Sequence, residues 1–349
     1  MIEFNEIKIN SSPPAKGTNN LKDNILLIRT ANQCIEEAKN QPIPKMLFSE
    51  FWHQGELCIL FADTNIGKSI LSVQIADSIS RGESIRGFKL EAPKQVVLYF
   101  DFEQTVKQIE KRYSYNYSNH YLFDDSLYRV ELNPLCMDFT DFEKSLYLSI
   151  EHAILEYNSR VLIVDNLTYL KTTATETAKE ALPLMKMLKD LKIKHDLSIL
   201  ALAHTPKRNL LNPITRNDLA GSKHLANFAD SIFAIGESSK DKSLRYLKQI
   251  KARATEIVYD ASHVIVCEIS QPYNFLGYHF LDFSHEQEHL KQLNQDQESG
   301  IDEQIINLKQ SSPSISNYEI SKQLNINQMK VKRVLARSFA NTTNSTNRC

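Results

Sequence analysis

From Met46 to Phe283 the chain alternates short apolar runs with stretches in which apolar residues recur every three to four positions. The runs fall at 56–61, 95–102, 127–132, 160–165, 197–204, 230–235, 244–252, 264–270 and 278–283. Several are apolar at every position, as in Val161-Leu162-Ile163-Val164 and Ile199-Leu200-Ala201-Leu202-Ala203. Strands of that kind are buried on both faces, which predicts a parallel sheet covered by helices. The last four runs are spaced as hairpins and predict an antiparallel extension. Helical periodicity predicts helices over 70–81, stopping at Gly82, and over 105–113, 141–157 and 174–195. Pro183 divides the last into two pieces.

Different patterns flank this block. Residues 1–45 open on the Ser/Pro/Gly/Asn-rich piece from Ser11 to Asn20 and read as a flexible arm with a short helix near 31–39. Such an arm is either a docking segment for a neighbouring subunit or an inert tail. The block itself, 46–284, reads as one α/β domain. A polar linker, 285–300, leads to a small all-helical unit at 301–341, with helices expected at 301–309, 317–324 and 328–339. The turn Asn325-Ile326-Asn327 separates the last two, a helix-turn-helix spacing with the final helix as reader. Residues 342–349 read as a disordered tail.

Composition narrows the class. The 349 residues are 42% hydrophobic and 24% charged, with a net charge of −1. That is ordinary globular composition with no global basic field, so any nucleic-acid site must be local. Locally, residues 301–349 hold seven basic residues against three acidic ones. The five cysteines (Cys34, Cys58, Cys136, Cys267, Cys349) show no ligand spacing, which fits a reducing compartment rather than a zinc site. No leader pattern and no membrane-spanning run is present, so a cytoplasmic location is expected.

The candidate chemistry gathers at strand ends. Ala62-Asp63-Thr64-Asn65-Ile66-Gly67-Lys68-Ser69 stands between a strand and a helix and nearly fits the phosphate-binding loop, with Ala62 in place of its first glycine. In such a loop, backbone N–H groups from Asp63 to Ile70 and the helix N-terminus hold phosphate oxygens. Lys68 reaches the β- and γ-phosphates, and the Ser69 hydroxyl ligates Mg²⁺. Asn65 tolerates the left-handed backbone that a glycine often supplies there. Asp165 ends a buried strand and can support the metal, since open α/β sheets bind ligands at that edge. Asp101 and Glu103 share one side of another strand end. Either can activate water, and Glu103 lies nearer the edge. His204 closes a third buried strand, where it either contacts a terminal phosphate or serves the fold. Lys251 and Arg253, alternating at a late strand end, either reach a neighbouring subunit's γ-phosphate or are solvated. After His204, the stretch containing Lys207, Arg208 and Arg216 is basic and is a candidate for nucleic-acid contact. Lys330, Lys332 and Arg333 hold the same place in the C-terminal unit. Tyr113, Tyr115, Tyr117 and Tyr121 either stack on bases or pack a loop.

Taken in order, these pieces resemble the RecA-like ATPases, and within them the RepA-type and DnaB-type hexameric helicases. The matching segments are Gly55 to Ser69, Leu98 to Glu103 with Arg112 beyond, and Val161 to Asn166. Ala201 to Lys207, Leu219 to Ser222 with Ala229 to Ser231, and Ile250 to Arg253 complete the series. The resemblance covers about residues 46–283 and implies a RecA-like core, ATP and Mg²⁺. It gives Glu103 the water, His204 the γ-phosphate sensor, and Lys251/Arg253 a role across a subunit interface. It also implies a homo-oligomer, possibly a hexamer, with single-stranded DNA through the core and duplex as a further option for the C-terminal unit. Three functions follow: a DNA-dependent ring translocase of a plasmid or mobile element, a nucleotide-switched DNA-binding regulator, and a recombination-type filament.

Overall fold

A computed structural model of the chain describes residues 26–136, 142–167, 181–205, 208–219, 222–291, 295–324 and 326–335. It divides into two units, 1–43 and 44–349. In the first, helix α1 (Ala31–Lys39) begins at a capping box. The Thr30 hydroxyl accepts from Gln33 N, and the Gln33 side chain accepts from Thr30 N. No residue of α1 is buried.

The second unit starts with two short paired strands, β1 (Met46–Phe48) and β2 (Trp52–His53), which are too short to leave a periodic signal. Next come β3 (Leu57–Ala62), α2 (Lys68–Arg81), β4 (Val97–Asp101) and α3 (Val106–Arg112). A small hairpin, β5 (Ser114–Tyr115) with β6 (Asn119–His120), precedes β7 (Leu127–Val130). Then follow α4 (Phe142–Glu156), β8 (Val161–Asp165), α5 (Ala181–His195), β9 (Ser198–His204) and α6 (Ser222–Phe228). Four strands finish the block: β10 (Ser231–Glu237), β11 (Leu244–Lys251), β12 (Val264–Ser270) and β13 (Gly277–Ser284).

Among the described residues, nine strands form one sheet in the order β13-β12-β11-β10-β3-β9-β8-β4-β7. From β10 to β7 every pairing is parallel, while β10 to β13 pair antiparallel. This is the expected parallel core with its antiparallel extension, a RecA-like α/β arrangement.

The fully apolar strands explain the layering. Successive side chains point to opposite faces. Leu57, Ile59 and Phe61 of β3 join Leu162 and Val164 of β8 in a core under α4 and α5. Cys58, Leu60 and Ala62 join Val161 and Ile163 in a second core under α2. Helix α2 meets it with Leu71, Ile75 and Ile79, one stripe at four-residue spacing, and stops at Gly82, whose φ of 73° only glycine adopts readily. Pro183 lies within α5 as described, Ala181–His195. The expected part of that helix at 174–180 lies outside the described residues.

The 285–300 stretch differs from a free linker. Glu286 and His289 are buried. Glu286 accepts from Ile214 N at 2.7 Å and is paired with Lys248. After it, α7 (Gln295–Ser311), α8 (Asn317–Gln323) and a further helical stretch at 328–335 surround a separate small core of Ile305, Ile320, Val331, Val334 and Leu335. No helix among the described residues is long and apolar enough to cross a membrane.

Candidate active site

The C-terminal ends of β3, β4, β8 and β9 are adjacent in the sheet, so everything that follows them lies on one edge. The loop after β3 has the backbone its sequence demands. Asn65 has φ 62° and Gly67 φ 107°. A Cβ on Gly67 would also stand 2.7 Å from the Tyr278 hydroxyl and 2.8 Å from Ile269 Cδ1, so both conformation and space require glycine. Ala62 has no positive φ, so the missing first glycine leaves no backbone strain. The Ile66 carbonyl is held from the antiparallel extension, accepting from Arg245 Nε at 2.9 Å and from the Tyr278 hydroxyl at 3.1 Å.

Lys68, the first residue of α2, turns back across the loop. Its ammonium donates to Ala62 O and Asp63 O, each at 3.0 Å, and lies 3.0 Å from His204 Nδ1. An ammonium only donates, so Nδ1 accepts, and the second ring nitrogen, Nε2, lies on the other side of the ring. That side faces the Asn166 amide at 2.8 Å and the Glu103 carboxylate at 3.8 Å. Asn166 in turn donates to Glu103. Lys68, His204, Asn166 and Glu103 thus form a continuous chain around the cleft. Burial lowers Lys68 to about 8, against the opposing pull of Asp165, Glu103 and Asp63. The His204 ring is the main cause that holds the Glu103 carboxyl below its ordinary value.

Asp165 is buried, and burial raises its carboxyl to about 6 although the Ser69 and Tyr99 hydroxyls bind it. Tyr99 donates to Asp165 Oδ2 at 2.8 Å and shares a 2.8 Å hydrogen bond with Ser72. Ser69 and Asp165 together offer a hydroxyl and a carboxylate oxygen on one wall, a donor set that suits Mg²⁺. Between the two expected acids the geometry chooses. Asp101 is buried against Arg129 at 2.9 Å and accepts from the backbone N–H of Glu103 and Gln104. It shapes the turn, while the half-exposed Glu103 side chain faces the cleft. The cleft encloses about 280 Å³ and is also lined by Thr64, Ile70, Gln104, Gln108 and Arg112.

Asn166, Tyr99 and Gln108 were not singled out in the sequence. Asn166 follows Asp165 directly, and the parallel register Asp101↔Asp165 carries it level with the turn bearing Glu103. Only the strand pairing could have shown this.

Other expected residues lie elsewhere. Lys251 aligns with Ile232, which aligns with Ile59 near the start of β3. Its ammonium donates to Ala226 O at 2.8 Å and Ala229 O at 2.6 Å, at the end of α6. Arg253 bonds Asp230, whose other oxygen accepts from Leu57 N, the first residue of β3. Both therefore stand at the edge of the sheet opposite the loop. Arg208 is not an outward basic residue. Its side chain is 5% exposed, with Nε 3.4 Å from Asp63, because this carboxylate and the Asn212 carbonyl give its charge partners inside the fold. Lys330 is also turned inward, its side chain 17% exposed beside Asp302. Arg216, Lys332 and Arg333 are exposed, and Lys207 lies outside the described residues. Tyr113 and Tyr121 pack with Phe123 and Phe275, while Tyr115 and Tyr117 are exposed.

Comparison with known proteins adds a family. Residues 29–209, just over half of the chain, match the family described as AAA domain. No curated protein matches. Among solved structures, the chain is similar to a KaiC-like protein from the hyperthermophilic archaeon Pyrococcus horikoshii OT3. The two are 14% identical with a TM-score of 0.46, over 65% of this chain and 91% of that one.

Proposed function

The chain belongs to the AAA domain family and carries a RecA-like P-loop ATPase domain, and from that premise we propose that it hydrolyses ATP in a DNA-dependent manner as a ring-forming translocase. The observation that carries the hydrolytic reading is the linked set Lys68–His204–Asn166–Glu103 at one cleft. A phosphate loop alone binds nucleotide. Hydrolysis also needs a base or water-positioning group opposite the terminal phosphate.

In this reading the loop N–H groups from Asp63 to Ile70 and the N-terminus of α2 cradle the phosphates. The Lys68 ammonium leaves the Ala62 and Asp63 carbonyls for phosphate oxygens, whose negative charge stabilises its protonated form. Ser69 and Asp165 would hold Mg²⁺, which when bound neutralises charge on the phosphates. The Glu103 carboxylate accepts a proton from the attacking water. Asn166 and His204 fix that carboxylate, and His204, in contact with Lys68, registers whether the γ-phosphate is present. Lys251 and Arg253 belong to a different site. Their place on the far sheet edge supports a role in a neighbouring copy's cleft and, with it, oligomerisation. Arg216, Lys332 and Arg333 supply exposed positive charge for a phosphodiester backbone.

The test is ATP turnover with and without single-stranded DNA, with particle mass followed by light scattering in the presence of ATP. The expected result is DNA-stimulated turnover from a ring-sized particle. Turnover indifferent to DNA from a monomer or dimer would refute the translocase. A second reading, a nucleotide-switched DNA-binding regulator, is favoured by the C-terminal helices having their own core with Lys332 and Arg333 exposed. It predicts sequence-specific duplex binding and no strand separation; equal affinity for scrambled duplexes would sink it.

A further inference from the structure

Asp165 reaches the cleft from the end of β8, and a buried side chain of the neighbouring strand holds it there. Val97, Tyr99, Val161 and Ile163 belong to the core under α2. Asp165, two residues beyond Ile163, shares their face of the sheet. Tyr99 is level with Ile163 in the register of β4 and β8. Its hydroxyl reaches forward along the strands and donates to Asp165 Oδ2 at 2.8 Å.

The hydrogen bonds continue into α2. Ser72, also buried, lies 2.8 Å from the Tyr99 hydroxyl and donates to the Ser69 carbonyl at 3.2 Å. The one phenol proton is spent on Asp165, so the phenol oxygen accepts from Ser72. Ser69 and Asp165, the two residues that would hold Mg²⁺, are thus tied together through Ser72 and Tyr99. Neither Tyr99 nor Ser72 lines the cleft, so neither touches nucleotide there.

We propose that Tyr99 is a positioning residue for the metal, its hydroxyl fixing the Asp165 carboxylate in the orientation that supports Mg²⁺. The inference rests on the reading that Ser69 and Asp165 hold that ion. The last torsion of an aspartate is broad, so the side chain alone does not set where its oxygens point. A buried hydrogen bond to one oxygen does. An ionised carboxylate has about four acceptor sites, so the phenol takes one and leaves others on both oxygens. The choice of donor matters as well. A lysine or arginine in this place would neutralise the carboxylate and compete with the cation, whereas a phenol is uncharged at neutral pH and leaves the full negative charge for the metal. A tyrosine that only filled the core between α2 and the sheet would leave metal affinity untouched when its hydroxyl was removed.

The test uses the full chain in excess over ADP, so that the nucleotide is bound, with Mn²⁺ titrated in and the free ion read by electron paramagnetic resonance. Tyr99→Phe keeps the ring in the core and removes the hydroxyl. It is expected to weaken Mn²⁺ binding about tenfold or more, the usual cost of losing a partner of a ligating group. Its affinity for ADP in EDTA is expected to match the wild type, because the phosphate loop is untouched. Ser72→Ala, which leaves the phenol in place, is expected to lose roughly threefold in Mn²⁺ affinity. If Tyr99 acts through Asp165, then in an Asp165→Asn background Tyr99→Phe causes no further loss. Equal Mn²⁺ affinity for wild type and Tyr99→Phe would overturn the proposal while leaving the metal assignment standing. A full repeat of the loss in the Asp165→Asn background, or an equal loss of ADP affinity in EDTA, would also overturn it. A wild type that binds no Mn²⁺ beside bound nucleotide would instead refute the metal reading itself, and this inference with it.

Discussion

Gly67 carries two demands at once, a left-handed φ and a close approach to Tyr278 and Ile269. Gly67→Ala is accordingly expected to weaken ATP binding by tenfold or more, from backbone strain of about 1–2 kcal/mol plus the clash. A fluorescent ATP analogue would read this, and unchanged affinity would show that the loop adapts. Glu103→Gln keeps the shape and removes the proposed base. Turnover is expected to fall on the order of 10²–10⁴-fold with nucleotide affinity retained, measured by a phosphate-release assay beside a binding titration. At this scale the sequence was informative where a residue's type and strand position suffice, as for Asn65, Gly67 and Asp165. It was silent where a partner comes from a distant strand. Nothing local to Arg208 says that Asp63, on the phosphate loop, will take its charge inward. Likewise nothing near Glu103 announces Asn166.

Among elements, the fully apolar strands were the most legible, because burial on both faces leaves no polar position to mislead. The short strands β1, β2, β5 and β6 gave no signal, since two or three residues define no period. The stretch after β13 was misleading, because its Glu and His residues read as solvated while the folded chain pairs them. That stretch makes a pH prediction. His289 is buried against Ser238, 2.8 Å from Nδ1, and burial lowers its pKa below the ordinary 6.5. A histidine depressed in the folded state binds a proton more readily when unfolded. Stability from this group is therefore full above pH 6.5 and declines as pH falls from there toward the folded value. The urea midpoint of the wild type should drop between pH 7 and pH 5.5 by more than that of His289→Gln. Parallel curves for the two proteins would show that His289 titrates alike in both states.

For the whole molecule, the central fact is that the cleft and the Lys251/Arg253 pair occupy opposite edges of one sheet. If a second copy brings its pair to this cleft, two dead proteins can make a live interface. Lys68→Ala loses its own cleft but keeps a good pair, and Arg253→Ala keeps its cleft but lacks the arginine. Each alone should show turnover near background, and an equimolar mixture assembled with ATP should recover a substantial fraction of wild-type turnover. A mixture no more active than its components would place Arg253 outside catalysis. The bracing of the Ile66 carbonyl by Arg245 and Tyr278 has a further consequence, for biosynthesis. The loop is translated early, yet the side chains that clamp it come roughly 180 and 210 residues later. While the chain emerges from the ribosome, β3 and α2 are present long before their clamp exists. A nascent chain ending near residue 240 holds the whole phosphate-loop sequence but neither anchor, so the loop is braced only after Arg245 and Tyr278 have been added.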